Sequence, residues 1–447
     1  MKKKLSSWGK LYYSVAQAGF FLTNQVVTAW LFYFYTTGGG SGEPFVKPAI
    51  VGAVIMAGRA LDAFADPIIA KTSDNYKSPQ GRRIPFMAFS GIIMIAFFVI
   101  LFNPLQSSSQ LLNTLSMIIV LTIYFISFTT YACPYLALMP ELAKTIHERV
   151  NLSTYKAITG MMGSGIALIG AGPLANRFGF GIMALIMSSI ALILIYIPVF
   201  TIKEKDYTES KPATLGLFDA VKSTLRNRPF LLYLVGCVSF WFGGNIVLQS
   251  VPFYITVLLG ESEGATALYY GAAGAVALLA FPLINHYSKR WGLKTMMMLS
   301  MFMLVLIMPF AFFIGTTILN LSPRILTLIG MALAGLPIAS LFIVPDALVA
   351  AISDLEERNT GQRREAMYYG AQGLIMKIAM GLSTLVMGAL FQLFGQTPTS
   401  PLGVQLTGPV AAAFVLLGLL IFSRYPEKDV VARERKKDKN NKKQDNS

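Results

Sequence analysis

The chain has 447 residues, 54% of them hydrophobic and 13% charged, and a formal net charge of +15. A water-soluble globule of this length needs far more polar surface, so composition excludes one. The basic excess suggests nucleic acid only until its distribution along the chain is counted.

Apolar runs of about 20 residues, the length that crosses a bilayer as a helix, recur twelve times. They centre near residues 22, 57, 94, 124, 163, 190, 244, 276, 304, 336, 379 and 415. Several exceed the minimum span, which permits tilt. The first follows Lys2, Lys3 and Lys4 and runs on to about Thr37 with no small-residue cleavage pattern. It is therefore expected to stay as a membrane segment and not to be removed as a signal peptide.

Of the basic residues, Arg59 and Lys377 lie inside predicted segments. Among the remainder only Lys47, Arg177 and Arg324 fall on the side opposite the N-terminus. This near-perfect alternation is the positive-inside pattern, and it puts both termini in the cytoplasm. The expected place is a bacterial inner (plasma) membrane, as a multi-pass protein. Its basic loops then touch anionic membrane lipids and bind no nucleic acid.

The second segment contains "GRALDAFADPIIA", residues 58–70. Arg59, Asp62 and Asp66 stand at i, i+3 and i+7, which puts them on one helix face. Each would cost about 2.5–3.5 kcal/mol at the centre of a lipid-facing helix, so they face the bundle interior or an aqueous cavity. An Arg59–Asp62 pair locking the helix to a neighbour accounts for one carboxylate at most. Two carboxylates one turn apart repel unless a cation lies between them or one is protonated. Hard oxygen ligands suit Na⁺, and the same pair suits H⁺. Coupling-cation binding at Asp62 and Asp66 is the expectation.

Cys133 and Cys237 lie within the fourth and seventh segments and read as small core residues with no disulfide between them. The longest internal polar stretch, "KEKDYTESKPATLGLFDAVKSTLRNRP", divides the segments six and six. Its "LGLFDAVKSTL" has the pattern of a short amphipathic helix lying on the inner surface. The expected organisation is a six-helix bundle over 1–202, a cytoplasmic loop over 203–228, and a second bundle over 229–424. A charged tail follows over 425–447, with a composition that favours disorder.

The halves echo one another. "PELAKTIHERVNLSTYKAITG" after the fourth segment resembles "SDLEERNTGQRREAMYYGAQG" after the tenth, and "SDNYKSPQGRRIPF" is answered by "NHYSKRWGLKT". Six plus six with parallel halves is the major facilitator plan, with its substrate site near the midplane. Lys377, in "YYGAQGLIMKIAMG" of the eleventh segment, needs a carboxylate partner or an anionic part of the substrate. Asp346, after Pro345, is a candidate partner or simply the neighbour of a helix kink.

"GRALDAFADPIIAKTSDNYKSPQGRRIPFM" resembles the signature of the glycoside–pentoside–hexuronide:cation symporter family, the melibiose-carrier group of the major facilitators. The likeness extends through "LFYFYTT", "CPYLALMPEL", "ERVNLSTYK" and "GQRREAMYYGAQGLIMK", and so along nearly the whole chain. It implies an all-α membrane protein of 12 helices. It also implies a cation site at Asp62, Asp66 and Thr129, and functional roles for Lys377 and Lys156, the latter standing where the melibiose carrier has arginine. Galactoside carriers of the group hold sugar hydroxyls with two aspartates, and their places here are Phe21 and Ala132. That departure disfavours a galactoside.

Gln17, Phe21, Asn24, Gln25, Asn245, Gln249, Gln372 and Lys377 are the candidate substrate contacts. Interhelical hydrogen bonding is an equal reading for each amide. Arg82 and Arg83, with Lys289 and Arg290 in the second half, are candidates for a cytoplasmic gate. The chain contains no P-loop, zinc-protease helix or nucleophile elbow, and its two histidines, His147 and His286, sit in expected loops. It is not expected to be an enzyme or to need a cofactor beyond its coupling ion. The expectation is a functional monomer that carries a small solute, a sugar or glycoside, by symport with Na⁺ or H⁺. A lysophospholipid or other amphipathic anion is the alternative cargo, and a non-transporting receptor the remote alternative.

Overall fold

The computed structural model is helical throughout its named elements. It describes residues 5–40, 42–76, 78–104, 109–143, 145–207, 227–317, 322–360 and 365–427. The expected amphipathic helix near residues 215–225 and the charged tail from residue 428 lie outside the described residues.

Helix α1 (Ser7–Thr37) starts where the Ser6 hydroxyl accepts the Gly9 amide at 3.0 Å and stops at Gly38, whose φ of 64° is left-handed. Most of its circumference is buried, which is why it reads as apolar without a clear stripe. Then follow α2 (Pro48–Asn75), α3 (Ile84–Leu101) and α4 (Gln110–Leu142). Next, α5 runs over Ile146–Thr201, begun by a capping box between Thr145 and Glu148. The sequence reads α5 as two segments. The structure likewise has two helices there, meeting at a kink where Gly179 takes φ 80° and ψ 162°. The polar Asn176 and Arg177 precede that corner, and glycine is free to take its positive φ.

The later helices are α6 (Arg228–Phe253), continued by a π-helical turn Tyr254–Leu258, then α7 (Thr266–Trp291) and α8 (Leu293–Ile307). After them come α9 (Pro323–Leu341), α10 (Val344–Thr360), α11 (Glu365–Phe394) and α12 (Leu402–Phe422). The sequence reads α9 and α10 together as its tenth segment. The helix breaks at Phe342–Ile343, just ahead of Pro345, whose ring disfavours helical backbone before it. Among the described residues ten helices are long and apolar enough to cross a membrane. Phe89, Phe200, Leu279 and Leu393 are more than two-thirds exposed, as lipid-facing side chains are.

Two compact units divide the chain. The first comprises residues 1–214, 248–271 and 380–405. Within it α1 lies along α5 so closely that a Cβ on Gly163 would overlap the Ala18 carbonyl. Against α2 lies the later half of α11: a Cβ on Gly52 would stand 2.8 Å from the Thr384 carbonyl, and one on Gly388 2.6 Å from that of Pro48. Small residues permit this backbone contact where apolar lipid gives helices no other reason to associate. Tyr33 donates to Glu263 at 2.9 Å and Gln396 to the Thr36 carbonyl at 2.8 Å, tying α1 to the segments after α6 and α11.

The second unit comprises residues 215–247, 272–379 and 406–447. Ala277, Ala280 and Ala339 form a close-packed seam there, flanked by Phe281 and Leu336. Asn227 donates to Glu356 at 2.9 Å and to the Tyr368 hydroxyl at 2.7 Å, fixing the start of α6 against α10 and α11.

Candidate functional site

The charged face of α2 meets α4 in the first unit. Both helices run in the same direction there, so equal steps along each keep partners in register. Thr129 donates to Asp62 Oδ1, and one turn on Cys133 Sγ donates to Asp66 Oδ1 at 3.4 Å, each partner 67 residues away. The result is a ladder of two rungs, each a carboxylate faced by a hydroxyl or thiol. The upper rung is dry, with Asp62 fully buried and Thr129 1% exposed, whereas Asp66 and Cys133 are half-buried.

Arg59 completes the buried rung. Its Nη1 lies 3.9 Å from Asp62 Oδ2, and its Nη2 donates to Asn24 Oδ1 at 3.1 Å and Thr28 Oγ1 at 3.3 Å. Its guanidinium stands 4.5 Å from the centre of the Phe125 ring. The arginine is thus held by α1 and α4 together and acts as a fixed counter-charge for Asp62. Asp66 sits a further turn along α2. Among the described residues no three His, Cys, Asp or Glu side chains converge as a metal cage. The ladder offers carboxylate and hydroxyl oxygens and one soft thiol, and its oxygens suit a monovalent hard cation or a proton.

A second cluster lies where α1, α4 and α5 meet. The rings of Tyr13 and Tyr135 stack at 4.5 Å. Tyr13 donates to the Tyr135 carbonyl at 2.6 Å, and Tyr135 to that of Tyr13 at 3.2 Å. Lys156 Nζ lies 5.2 Å from the Tyr135 ring and 6.0 Å from that of Tyr13. Gln17 and Phe21 rest against Gly160, one turn beyond Lys156 on α5.

At the end of α2 the Gly81-Arg82-Arg83 loop is bound within its own unit. Arg82 pairs with Glu141. Arg83 Nη2 donates to Asp74 Oδ1 at 2.9 Å and its Nη1 lies 2.7 Å from Glu141 Oε1. Glu204, 1% exposed, accepts the amides of Arg83 at 2.9 Å and Ile84 at 3.2 Å and so caps α3. Asp74, Glu141 and Glu204 were not singled out in the sequence. Asp74 stands just before "GRR", but Glu141 and Glu204 lie far along the chain, and nothing local to either names the loop.

The remaining candidates divide. Asn24 is engaged by Arg59, and Gln25 is half-buried on α1. Gln249, 3% exposed, exchanges hydrogen bonds with Thr384 at 2.9 and 3.3 Å, which answers the interhelical reading for this amide. In the second unit Asn245 is buried on α6. Gln372 approaches Cys237 at 4.0 Å and Lys377 is half-buried five residues further along α11. Lys289 and Arg290 are exposed in the last turn of α7. Cys237 is the buried core residue expected, accepting from Tyr233 at 3.6 Å. Cys133 is not: its thiol belongs to the ladder, a role its offset of four from Thr129, matching Asp62 to Asp66, could have revealed.

A family model described as "MFS/sugar transport protein" matches residues 12–428. The chain is 23% identical to the isoprimeverose transporter of Lactiplantibacillus pentosus, over 94% of this chain and 87% of that one. It is 23% identical to the sodium-dependent lysophosphatidylcholine symporter 1 of Gallus gallus, over 98% and 89% respectively. Its fold is similar to the crystal structure of a bacterial homolog of the human lysosomal transporter Spinster in an inward-facing, occupied conformation. There the TM-score is 0.70 at 14% identity, over 96% of this chain and 99% of that one.

Proposed function

The chain belongs to the MFS/sugar transport protein family, and on that premise we propose that it is a secondary active symporter, driven by Na⁺ or H⁺, for a sugar or glycoside-type solute. It is a membrane transporter and not an enzyme. The observation that carries cation coupling is the ladder of Asp62–Thr129 and Asp66–Cys133. Arg59 supplies one positive charge to two carboxylates, so the face has room for one more. A cation taken at Asp66 neutralises it and removes the repulsion between neighbouring carboxylates.

The proposed architecture is twelve helices in two six-helix bundles, over 1–202 and 229–424, with both termini in the cytoplasm of a bacterial inner membrane. The ten candidate spans, the second helix that Gly179 creates in α5, and α1 support that count. Access alternates by rocking of the bundles. Arg82, Arg83, Lys289 and Arg290 are gate residues whose pairings change between states. The protein works as a monomer.

Uptake into proteoliposomes under an imposed Na⁺ or H⁺ gradient tests this, with isoprimeverose as the first probe because a relative is named for it. Accumulation is expected with one gradient and abolished in Asp62→Asn and Asp66→Asn. Uptake indifferent to both gradients, or intact in both variants, refutes coupling at this site. A lysolipid cargo is the second reading, favoured by apolar Phe21 and Ala132 and by the named cargo of the Gallus gallus relative. Uptake of lysophosphatidylcholine in place of the sugar would select it.

A further inference from the structure

Asp346 stands in the first turn of α10, inside the membrane-spanning run Pro323–Glu357. Its side chain is exposed, and Ala350, Asp354 and Glu357, at i+4, i+8 and i+11, are at least partly exposed with it. A charged stripe inside a spanning run cannot face lipid, so it lines water. Among the described residues the Asp346 carboxylate makes no ion pair, with Lys377 or any other cation. The first turn of a helix lowers the cost of its charge but supplies no partner.

The break between α9 and α10 opens this corner. Pro345 has no N–H to give the Leu341 carbonyl, and the Ile343 amide turns back to the Ser340 carbonyl at 3.2 Å. Ser340 is fully buried, and its hydroxyl has no partner among the described residues. On α11, Tyr369 and Gln372 stand one turn apart. Tyr369 donates to the Asp346 carbonyl at 3.4 Å. Gln372 Oε1 is buried with no hydrogen-bond partner among the described residues, while its Nε2 approaches Cys237 at 4.0 Å. Cys237 and Tyr233 of α6 lie within electrostatic reach of the Asp346 carboxylate.

The corner thus gathers acceptors beside a broken helix, a recurrent form of solute site in transporters. A neutral solute would leave the carboxylate uncompensated once water is expelled, whereas an ammonium compensates it and brings only donors. We infer that the transported solute is an amino sugar whose ammonium pairs with Asp346 while a neighbouring hydroxyl donates to Gln372 Oε1. Transport itself rests on the function proposed above; the charge of the solute rests on this corner alone.

The test is equilibrium binding by thermal stabilisation of the purified full-length protein in Na⁺ buffer at about pH 6, where a sugar amine is protonated. Methyl β-D-glucosaminide and methyl β-D-galactosaminide are each compared with the matching glycoside and the N-acetyl form, which lack the charge. With at least one of the two, the amine is expected to half-saturate at a concentration at least tenfold below both neutral forms. Asp346→Asn brings the ratio near one and Asp346→Glu retains it, while the Na⁺ midpoint of Asp346→Asn stays within twofold of wild type. In the wild type the amine slows hydrogen exchange in the first turn of α10 at least threefold and the neutral forms do not, which needs no variant to fold. Equal half-saturation, no response to either amine, unchanged exchange, or a preference that survives Asp346→Asn overturns the inference. So does a Na⁺ midpoint moved beyond twofold, which makes Asp346 a cation ligand instead. Binding needs no gradient, so amine selectivity with gradient-independent uptake overturns the coupling proposal alone.

Discussion

Replacing Arg59 with methionine is the sharpest perturbation of the ladder. Methionine keeps much of the apolar stem and removes the guanidinium, and with it the bonds to Asn24 and Thr28 and the charge 3.9 Å from Asp62. Asp62 is then a fully buried carboxylate whose fixed counter-charge is gone. Removing one member of a buried pair costs about 3–5 kcal/mol, because the other is left uncompensated. The same removal lifts the repulsion that Arg59 exerts on an incoming cation. Asp66, where the cation is proposed to bind, stands about 10 Å along the helix from Arg59, so at an effective dielectric near 20 that repulsion is worth about 1.7 kcal/mol before relaxation.

Two results follow for thermal melts of the purified protein. In choline buffer Arg59→Met melts well below wild type, and Na⁺ raises its melting temperature more than it raises that of wild type. Asp62→Asn alone also destabilises, by stranding Arg59. The double variant, with neither charge, recovers most of the loss and shows a coupling of at least about 2 kcal/mol. Additive losses, or a Na⁺ response no larger than that of wild type, refute Arg59 as the internal counter-charge.

Two further substitutions separate roles within the same helices. Cys133→Ser puts a hard hydroxyl oxygen where a soft sulfur faces Asp66. A gain of about 1 kcal/mol lowers the Na⁺ concentration for half-maximal thermal stabilisation about fivefold. An unchanged midpoint removes Cys133 from the cation's ligands. Gln249→Ala breaks the pair with Thr384, whose hydroxyl keeps its bond to the Met380 carbonyl, and is expected to cost about 0.5–1.5 kcal/mol of stability for the lost hydrogen bond. Its half-saturation for solute should stay that of wild type, and a tenfold rise would return Gln249 to the substrate contacts.

The residues that announced themselves in the sequence are those whose burial is expensive. Arg59, Asp62, Asp66 and Lys377 stand out in apolar segments because a charge there demands a reason, and helical spacing alone puts the first three on one face, whereas Lys156 was reached only through the family resemblance. Their partners were less legible. Cys133 passes for a small core residue because a thiol costs little to bury, and only the register of α4 on α2 gives it a carboxylate. Gln249 and Thr384 are 135 residues apart, and nothing local to either names the other. Apolar length marks two segments there but not the corner between them, so its place at Gly179 had to come from backbone geometry.

Helix α4 joins the two clusters, and its geometry makes the last expectation specific. Thr129 and Cys133 form one stripe toward α2. Ala132, Tyr135 and Met139, at i, i+3 and i+7, form a second stripe about 100° round the helix, and its later members line Lys156. One helix carries the cation rungs on one stripe and the lysine's wall on the next, with Pro134 between Cys133 and Tyr135, so movement of one stripe is expected to reach the other. Placing an aspartate at Ala132 inserts a carboxylate on the second stripe, one turn from Tyr135. It gives Lys156 an internal partner and leaves the Asp62 and Asp66 rungs untouched. Ala132→Asp is therefore expected to change half-saturation for solute at least fivefold, while the Na⁺ midpoint moves less than twofold. Competition binding with isoprimeverose reads the first, and a Na⁺ titration of thermal stability reads the second. If half-saturation for solute is untouched by the added carboxylate, this stripe of α4 does not line the solute's path.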